Sequence, residues 1–349
     1  MALSVGIVGC GVIGRAHLEH FTSYNRVKLV AVADLINERA AAAAAEFSPE
    51  KTFAEGRDLI HDSSVEAVVL AAPAEQRYDL AREALRAGKH VLIEKPVARS
   101  TAEVDEYLAL ASPDQIVAVA SSRFRFTFTY NALRDALHEG TVAPVRQIIH
   151  EGLKPIPEPP TDPPPSWRLS HTQNGGGIMS NWGCYDLDYL MSLLPEDDRA
   201  TEVGASIRPV SQAIERWVAP GSDAETYVSV MLRFASGTTV HVNRGEFLPL
   251  ESGRNETIVL GDSASIRAHM VSTDGSVSVT RYTADGAATE EVSNTTEGYD
   301  NFHAGMIRDF VDAALDGRKP ATGLERARVI QRITDAIYQS ARENRSITL

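Results

Sequence analysis

Over residues 1–122, short continuous apolar runs are separated by segments in which apolar positions recur every three or four residues. The runs at 3–8, 27–33, 65–71, 89–93 and 115–121 are rich in Val, Ile and Leu and predict buried strands. The segments at about 12–23, 37–47, 75–87 and 100–111 predict helices; Ala40 to Ala45, six alanines in a row, favour helix strongly. Strands alternating with helices over short connections predict an α/β fold with a doubly wound parallel sheet. Residues 1–122 are therefore expected to form a first domain.

The pattern changes after residue 122. A helix is expected at about 129–139 and a strand at 145–152. Seven prolines then fall within the eleven positions 155–165, which excludes an ordinary helix or strand. This stretch reads as a stiff surface excursion ending at Trp167-Arg168, packed near a site or a subunit contact, with a plain linker as the alternative. From 202 to 283 the apolar positions alternate, as in 226–234 and 238–244, with breaks at Ser236-Gly237 and Gly261-Asp262. That rhythm predicts a mostly antiparallel sheet. Helices at about 300–316 and 323–343 close a second domain, 123–349.

A chain of 349 residues is long enough for two such domains. Thirty-four basic against 47 acidic residues give a net charge of -13, which repels phosphate backbones and argues against nucleic acid as a partner. Two cysteines, Cys10 and Cys184, supply neither a disulfide framework nor metal-ligand spacing. His17 and His20 share a helix face, but no carboxylate set completes a metal site, so no metal is expected. No apolar run approaches the roughly 18 residues that span a bilayer, and no secretory pattern opens the chain. No membrane association and a cytoplasmic location are the expectations.

The chemistry begins at Gly9-Cys10-Gly11-Val12-Ile13-Gly14, between the first strand and the first helix. In that context Gly9 permits a tight turn, Gly11 leaves room for a pyrophosphate, and Gly14 lets helix and strand pack closely. Free amides at the helix N-terminus, those of Val12 and Ile13 among them, then face the phosphates. Asp34 ends the second strand, 20 positions beyond Gly14. A carboxylate there accepts the adenosine ribose hydroxyls and repels a 2′-phosphate, which favours NAD over NADP. Arg39 is near enough in sequence to offset a phosphate charge; a solvated helix charge is the plainer reading.

Glu94-Lys95-Pro96 follows a strand at the edge where a doubly wound sheet meets its ligand. With the glycine turn, the stretch Ala87 to Pro96, Trp167-Arg168, Gly175-Gly176-Gly177 leading to Gly183, and the ending Ala336 to Ala341, the chain resembles the Gfo/Idh/MocA oxidoreductases. The resemblance implies a Rossmann domain, then an α/β domain whose large open-faced sheet pairs into homodimers or homotetramers. It places Lys95 by nicotinamide and substrate, Glu94 by the nicotinamide ribose, and Pro73 on the cofactor side. It implies hydride transfer between NAD and a carbinol or keto carbon of a sugar-like or cyclitol-like polyol.

Members of the inositol dehydrogenase type carry Asp-x-Gly-x-His after the glycines. This chain reads Asn181-Trp182-Gly183-Cys184-Tyr185, so Tyr185 takes the acid/base position, as in glucose–fructose oxidoreductase and dihydrodiol dehydrogenase types, and Asn181 takes that of the Asp. Arg77 replaces a usual His. A free phenol, with a pKa near ~10, is a poor base at neutral pH, but an ammonium beside it favours phenolate, and the neutral form can protonate a forming alkoxide. Lys95 is the rival donor. Trp182 and Trp167 stack on a sugar ring or pack in the core; Asn181 and Arg168 orient substrate. Asp186 and Asp188 read as helix-start charges or substrate contacts, and His303 as a solvated helix-end residue. Two other classes remain open: an NAD-requiring glycosidase of this fold, and a non-catalytic NAD-binding regulator, which should lack Lys at position 95.

Overall fold

The computed structural model describes residues 2–161, 164–269, 275–283, 285–295 and 300–349. Asp162 and Pro163 of the proline-rich stretch, and 270–274 of the antiparallel region, lie outside the described residues.

The first unit contains residues 1–123. Its elements in chain order are β1 (Leu3–Val8), α1 (Val12–Thr22), β2 (Val27–Ala33), α2 (Asn37–Phe47), β3 (Lys51–Phe53), α3 (Gly56–His61), β4 (Ala67–Leu70), α4 (Ala74–Arg86), β5 (His90–Ile93), α5 (Thr101–Leu110) and β6 (Val117–Val119). Six parallel strands run in the order β3-β2-β1-β4-β5-β6. The order reverses beside β1, and the crevice beyond the strand ends there is where such sheets take ligands. The apolar runs are buried because helices cover them: Val30, Val68, Leu70, Val91 and Ile93 join Ala81, Ala84 and Leu85 of α4 and Val104 and Tyr107 of α5 in one core. The polar pair β3 and α3 has no long apolar run, and the hydrophobic pattern does not reveal it.

The second unit begins at Phe124. It holds α6 (Phe128–His138), β7 (Gln147–Pro155), a short helix α7 (His171–Asn174), α8 (Cys184–Met191) and the strands β8 (Ala200–Pro209), β9 (Glu225–Phe234), β10 (Thr239–Leu248), β11 (Arg254–Leu260), β12 (Ala264–His269), β13 (Gly275–Thr283) and β14 (Gly286–Thr295). With β15 (Ile347–Thr348) they form a nine-stranded sheet, β14-β13-β12-β11-β7-β10-β9-β8-β15. Every pair is antiparallel except β7 with β10. Along β7, β9 and β10 buried positions alternate with less buried ones, so one face of the sheet is covered. The other face is mixed: one row across it reads Arg267, Ile258, Ile149, His241, Met231, and the next reads Glu256, Glu151, Asn243, Ser229. A sheet face left broadly apolar is therefore not what the strands carry.

The proline-rich stretch starts as the end of β7, where Ile156 N donates to Leu248 O (2.9 Å) and Trp217 Nε1 to Pro157 O (2.9 Å). The chain then recrosses. Residues 302–331, with most of α9 (Asp300–Asp316) and the start of α10 (Leu324–Glu343), belong to the first unit; the rest of α10 and β15 belong to the second. A single division at residue 122 does not capture this, because the amphipathic pattern of α9 and α10 tells which face is buried and not against which sheet.

Candidate functional site

In the first unit, the glycine turn has the shape a dinucleotide needs. Gly9 sits at φ +97°, and a Cβ there would lie 3.0 Å from the Ala71 carbonyl carbon. A Cβ on Gly14 would stand 1.8 Å from Gly9 O, so α1 packs directly on the turn. Gly11 is different: a Cβ there would meet only Arg39 Nη1, at 3.9 Å, which leaves the approach to the helix N-terminus open. No side chain caps α1 and its first turn has no acid, so its amides and dipole face that opening unopposed. Val12 is 94% exposed beside it. These features fit a bound pyrophosphate, and they put the Arg39 guanidinium beside the loop rather than out along its helix.

Asp34 Oδ2 accepts from Cys10 N (2.7 Å) and Oδ1 from Ile36 N (2.8 Å). Its carboxylate thus ties the end of β2 to the turn before any ribose is considered. Burial, with the Asp34 charge, pushes the Cys10 thiol up to about 11 and keeps it protonated.

Lys95 is half-buried just past the C-terminal end of β5, and its bond to Pro96 is cis. Buried Arg77, from α4, donates to Ala72 O and Pro96 O, joining the loop after β4, which carries Pro73, to the loop after β5. Glu94 is buried: Oε2 accepts from Lys95 N (3.0 Å) and Oε1 meets His17 Nε2 (2.8 Å), with Arg123 at 3.7 Å. Burial alone would raise its carboxyl; His17, Arg123 and Lys95 outweigh that and hold it well below the usual range. Glu94 therefore stands as a fixed anion beneath the Lys95 backbone. His303 is not solvated: it is buried, stacked on His20 at 5.8 Å, and lowered to about 2 by burial and by Arg123. Among the described residues no group of three ligands for a metal occurs.

In the second unit, the glycine run lets a helix start in a crowded place. A Cβ on Gly176 would fall 1.9 Å from Tyr338 Oη, and one on Gly177 2.0 Å from Glu225 O. Buried Glu225 accepts from Gly177 N (2.9 Å), Met179 N (2.9 Å) and Tyr338 Oη (2.8 Å). One carboxylate thus anchors the start of the helical segment and its contact with α10. The segment opens as a π-helical turn, Met179–Gly183, before α8; such turns concentrate at functional sites. Asn181 is buried in this turn and Trp182 half-buried. Tyr185 follows, 1% exposed, its ring 4.9 Å from Phe124 and 5.8 Å from Trp182.

Neither aspartate of α8 is a helix-start charge in solvent. Asp186 takes Arg244 Nε on Oδ2 (2.6 Å) and Arg244 Nη2 on Oδ1, with His150 Nε2 at 3.3 Å; all three are buried. Asp188 is buried with Arg125 Nη1 at 3.6 Å. Arg168 Nη2 donates to Glu246 Oε2 (2.5 Å), and Trp167 is half-buried beside it in the turn Ser166–Leu169. His150, Arg244, Glu225 and Arg123 are absent from the expectations drawn from the sequence. Two of them left a trace there: Val240, Val242 and Arg244 share the covered face of β10, as Ile148 and His150 share that of β7. A basic residue in phase with a buried stripe requires a buried partner.

Both parts of the chain match models of a single family. Residues 3–121 match "Oxidoreductase family, NAD-binding Rossmann fold", and residues 130–267 match the GFO/IDH/MocA C-terminal domain. The chain is 23% identical to a myo-inositol 2-dehydrogenase of Thermotoga maritima over 348 residues, 99% of this chain and 98% of the relative. It is 24% identical to an inositol 2-dehydrogenase of Rhizobium meliloti over 351 residues, 100% of both chains. A levoglucosan dehydrogenase solved with NADH and levoglucosan superposes with a TM-score of 0.89 at 22% identity, over 100% of this chain and 99% of that one.

Proposed function

Because this chain belongs to the GFO/IDH/MocA oxidoreductase family, we propose that it is an NAD-dependent dehydrogenase or ketoreductase acting on a CH–OH group of a sugar-like or cyclitol-like polyol. The observation that carries this is the setting of Lys95: a lysine at a strand's C-terminal end, its backbone amide held by buried Glu94 and its following loop clamped by Arg77, in a domain whose glycine turn fits a dinucleotide. NAD supplies the hydride acceptor. The chain's own residues supply the rest. Lys95 and Tyr185 exchange the proton of the reacting oxygen, Asn181, Trp182, Trp167 and Arg168 orient the polyol, and Glu94 and Arg77 position Lys95. Asp34, Arg39, Pro73 and the turn Gly9 to Gly14 hold the cofactor. The test is a panel of polyols offered with NAD and with NADP and followed by the absorbance of reduced nicotinamide; no turnover with any member, on protein that binds NADH, would rule the reading out.

Asp34→Ser should shift preference toward NADP, because it removes the charge that opposes a 2′-phosphate while Arg39 remains beside the loop. The ratio of kcat/KM for the two cofactors is the readout. An unchanged ratio would remove Asp34 as the selector.

The assembly belongs to the same reading. The mixed face that crosses β7, β9, β10 and β11 suits a wet, partly polar subunit contact, and a homodimer or homotetramer is expected in the cytoplasm. A monomeric mass by light scattering at micromolar concentration would contradict it. Among the described residues no helix is long and apolar enough to cross a membrane.

A further inference from the structure

The second unit carries a positive charge that its own residues leave unanswered. Lys154, at the end of β7, holds its ammonium 3.8 Å from the centroid of the Trp182 ring. Among the described residues it forms no ion pair. Arg244 lies over the same ring, at 5.8 Å. The nearby carboxylates are already engaged: Asp186 by both nitrogens of the Arg244 fork, and Glu246 Oε2 by Arg168 Nη2 at 2.5 Å. Three cations thus meet two carboxylates, each committed to an arginine, and the Lys154 charge is left over. Its ammonium is lowered, first by the atoms packed around it and then by the Arg244 cation, with Glu246 opposing. Lys154 is exposed, so an incoming anion can reach its ammonium, and pairing there would offset the repulsion from Arg244. Glu246 also keeps Oε1 buried without a hydrogen-bond partner, an acceptor suited to a hydroxyl.

Trp182 is three residues before Tyr185 on the same helical segment, so this charge borders the face on which a polyol is expected to lie. Resting on the dehydrogenase reading, we propose that the substrate is a sugar acid, an aldonate or uronate, whose carboxylate binds Lys154 at the edge of Trp182. A monoanion with neighbouring hydroxyls suits one spare ammonium and one spare carboxylate oxygen. A phosphate dianion would add a second negative charge beside Glu246 and Asp186.

The test uses full-length protein saturated with NADH and calorimetric titration with matched pairs: D-glucuronate against D-glucose, and D-gluconate against D-glucitol. Each pair differs by one carboxylate. At least one acid should bind about tenfold or more tighter than its neutral partner, the scale of a hydrogen bond to a charged group. Lys154→Gln should bring that ratio to within about twofold, and Lys154→Arg should preserve most of it. Equal affinities within both pairs, an undiminished ratio in Lys154→Gln, or tighter binding of D-glucose 6-phosphate than of either acid would overturn the assignment. Turnover separates the two readings. Neutral polyols oxidised as well as the acids would end the carboxylate assignment and keep the dehydrogenase. Carboxylate-selective binding with no NAD reduction by these four or by any member of the polyol panel would end the dehydrogenase and keep the anion site.

Discussion

Lys95→Met should lower turnover by about 100- to 10,000-fold, and Tyr185→Phe by a similar factor, the range for a general acid–base group. The expectation for Lys95 comes from its surroundings. Its backbone amide is bonded by a buried carboxylate, and the loop after it is tied by Arg77 to the loop carrying Pro73, so the lysine stands on a support with little freedom. Such investment in one half-buried amine is hard to explain by stability alone. Tyr185 is fixed in its own unit between Phe124 and Trp182, at the position proposed for the acid/base. Tyr185→Phe keeps that packing and removes only the hydroxyl. NADH affinity, measured by fluorescence, should barely change in Tyr185→Phe, because the phosphate contacts are proposed for the glycine turn of the other unit. Lys95→Arg separates charge from proton transfer: it keeps the cation but cannot give up a proton near neutral pH, and should not restore turnover. The double variant should be no worse than the poorer single one, since groups acting as a unit are not additive. Full turnover in Tyr185→Phe, with a primary isotope effect showing hydride transfer to be rate-limiting, would remove Tyr185 and leave Lys95 as the only donor.

The parallel sheet was legible because both of its faces are buried, which makes its strands continuous apolar runs. The glycine turn was legible because each glycine answers a separate steric demand, from Ala71 at Gly9 to the open approach at Gly11. What stayed hidden depends on contacts distant in sequence. Asp34 reads as a ribose ligand from its spacing, and the structure adds that the same carboxylate ties Cys10 and Ile36. Glu225 gave no signal, yet it bonds two amides next to the glycine run and a tyrosine 113 positions away. The π turn at Met179–Gly183 cannot be read from periodicity, since five residues are too few to establish a period. The return of α9 and the start of α10 to the first unit was likewise invisible, because an apolar stripe does not name its partner. Lys154 carries no signal in the sequence either, because its place against the Trp182 ring joins positions 28 residues apart.

Asp186→Asn should destabilise the second unit by about 3–5 kcal/mol, the cost of leaving a buried cation without its counterion. The aspartate is fully buried under Arg244, whose guanidinium carbon would lie 2.0 Å from a Cβ on Gly152, and under His150, itself bonded through Nδ1 to Thr257 Oγ1 at 3.0 Å. Arg244 is itself buried, so a lost partner there is not replaced by bulk solvent at the surface. For a unit of this size the loss corresponds to a fall in melting temperature of roughly 10 °C. Its pH dependence follows from the carboxyl. Burial would raise it, but Arg244 and His150 outweigh burial and hold it at about 2, below the ordinary value of 3.8. A group depressed on folding stabilises above its unfolded pKa, so the contribution is complete above about pH 4 and fades as the pH falls toward 2. The gap in melting temperature between the unmodified chain and Asp186→Asn should therefore be full at neutral pH and narrow in acid. Replacing the pair together, Asp186→Asn with Arg244→Met, should recover part of the loss because no unpaired charge stays buried. The recovered chain should still bind NADH, whose glycine turn lies in the other unit, and lose activity through Trp182, the ring that Arg244 overlies. A melting temperature within about 2 °C of the unmodified chain in Asp186→Asn would show that Arg244 finds its counterion elsewhere.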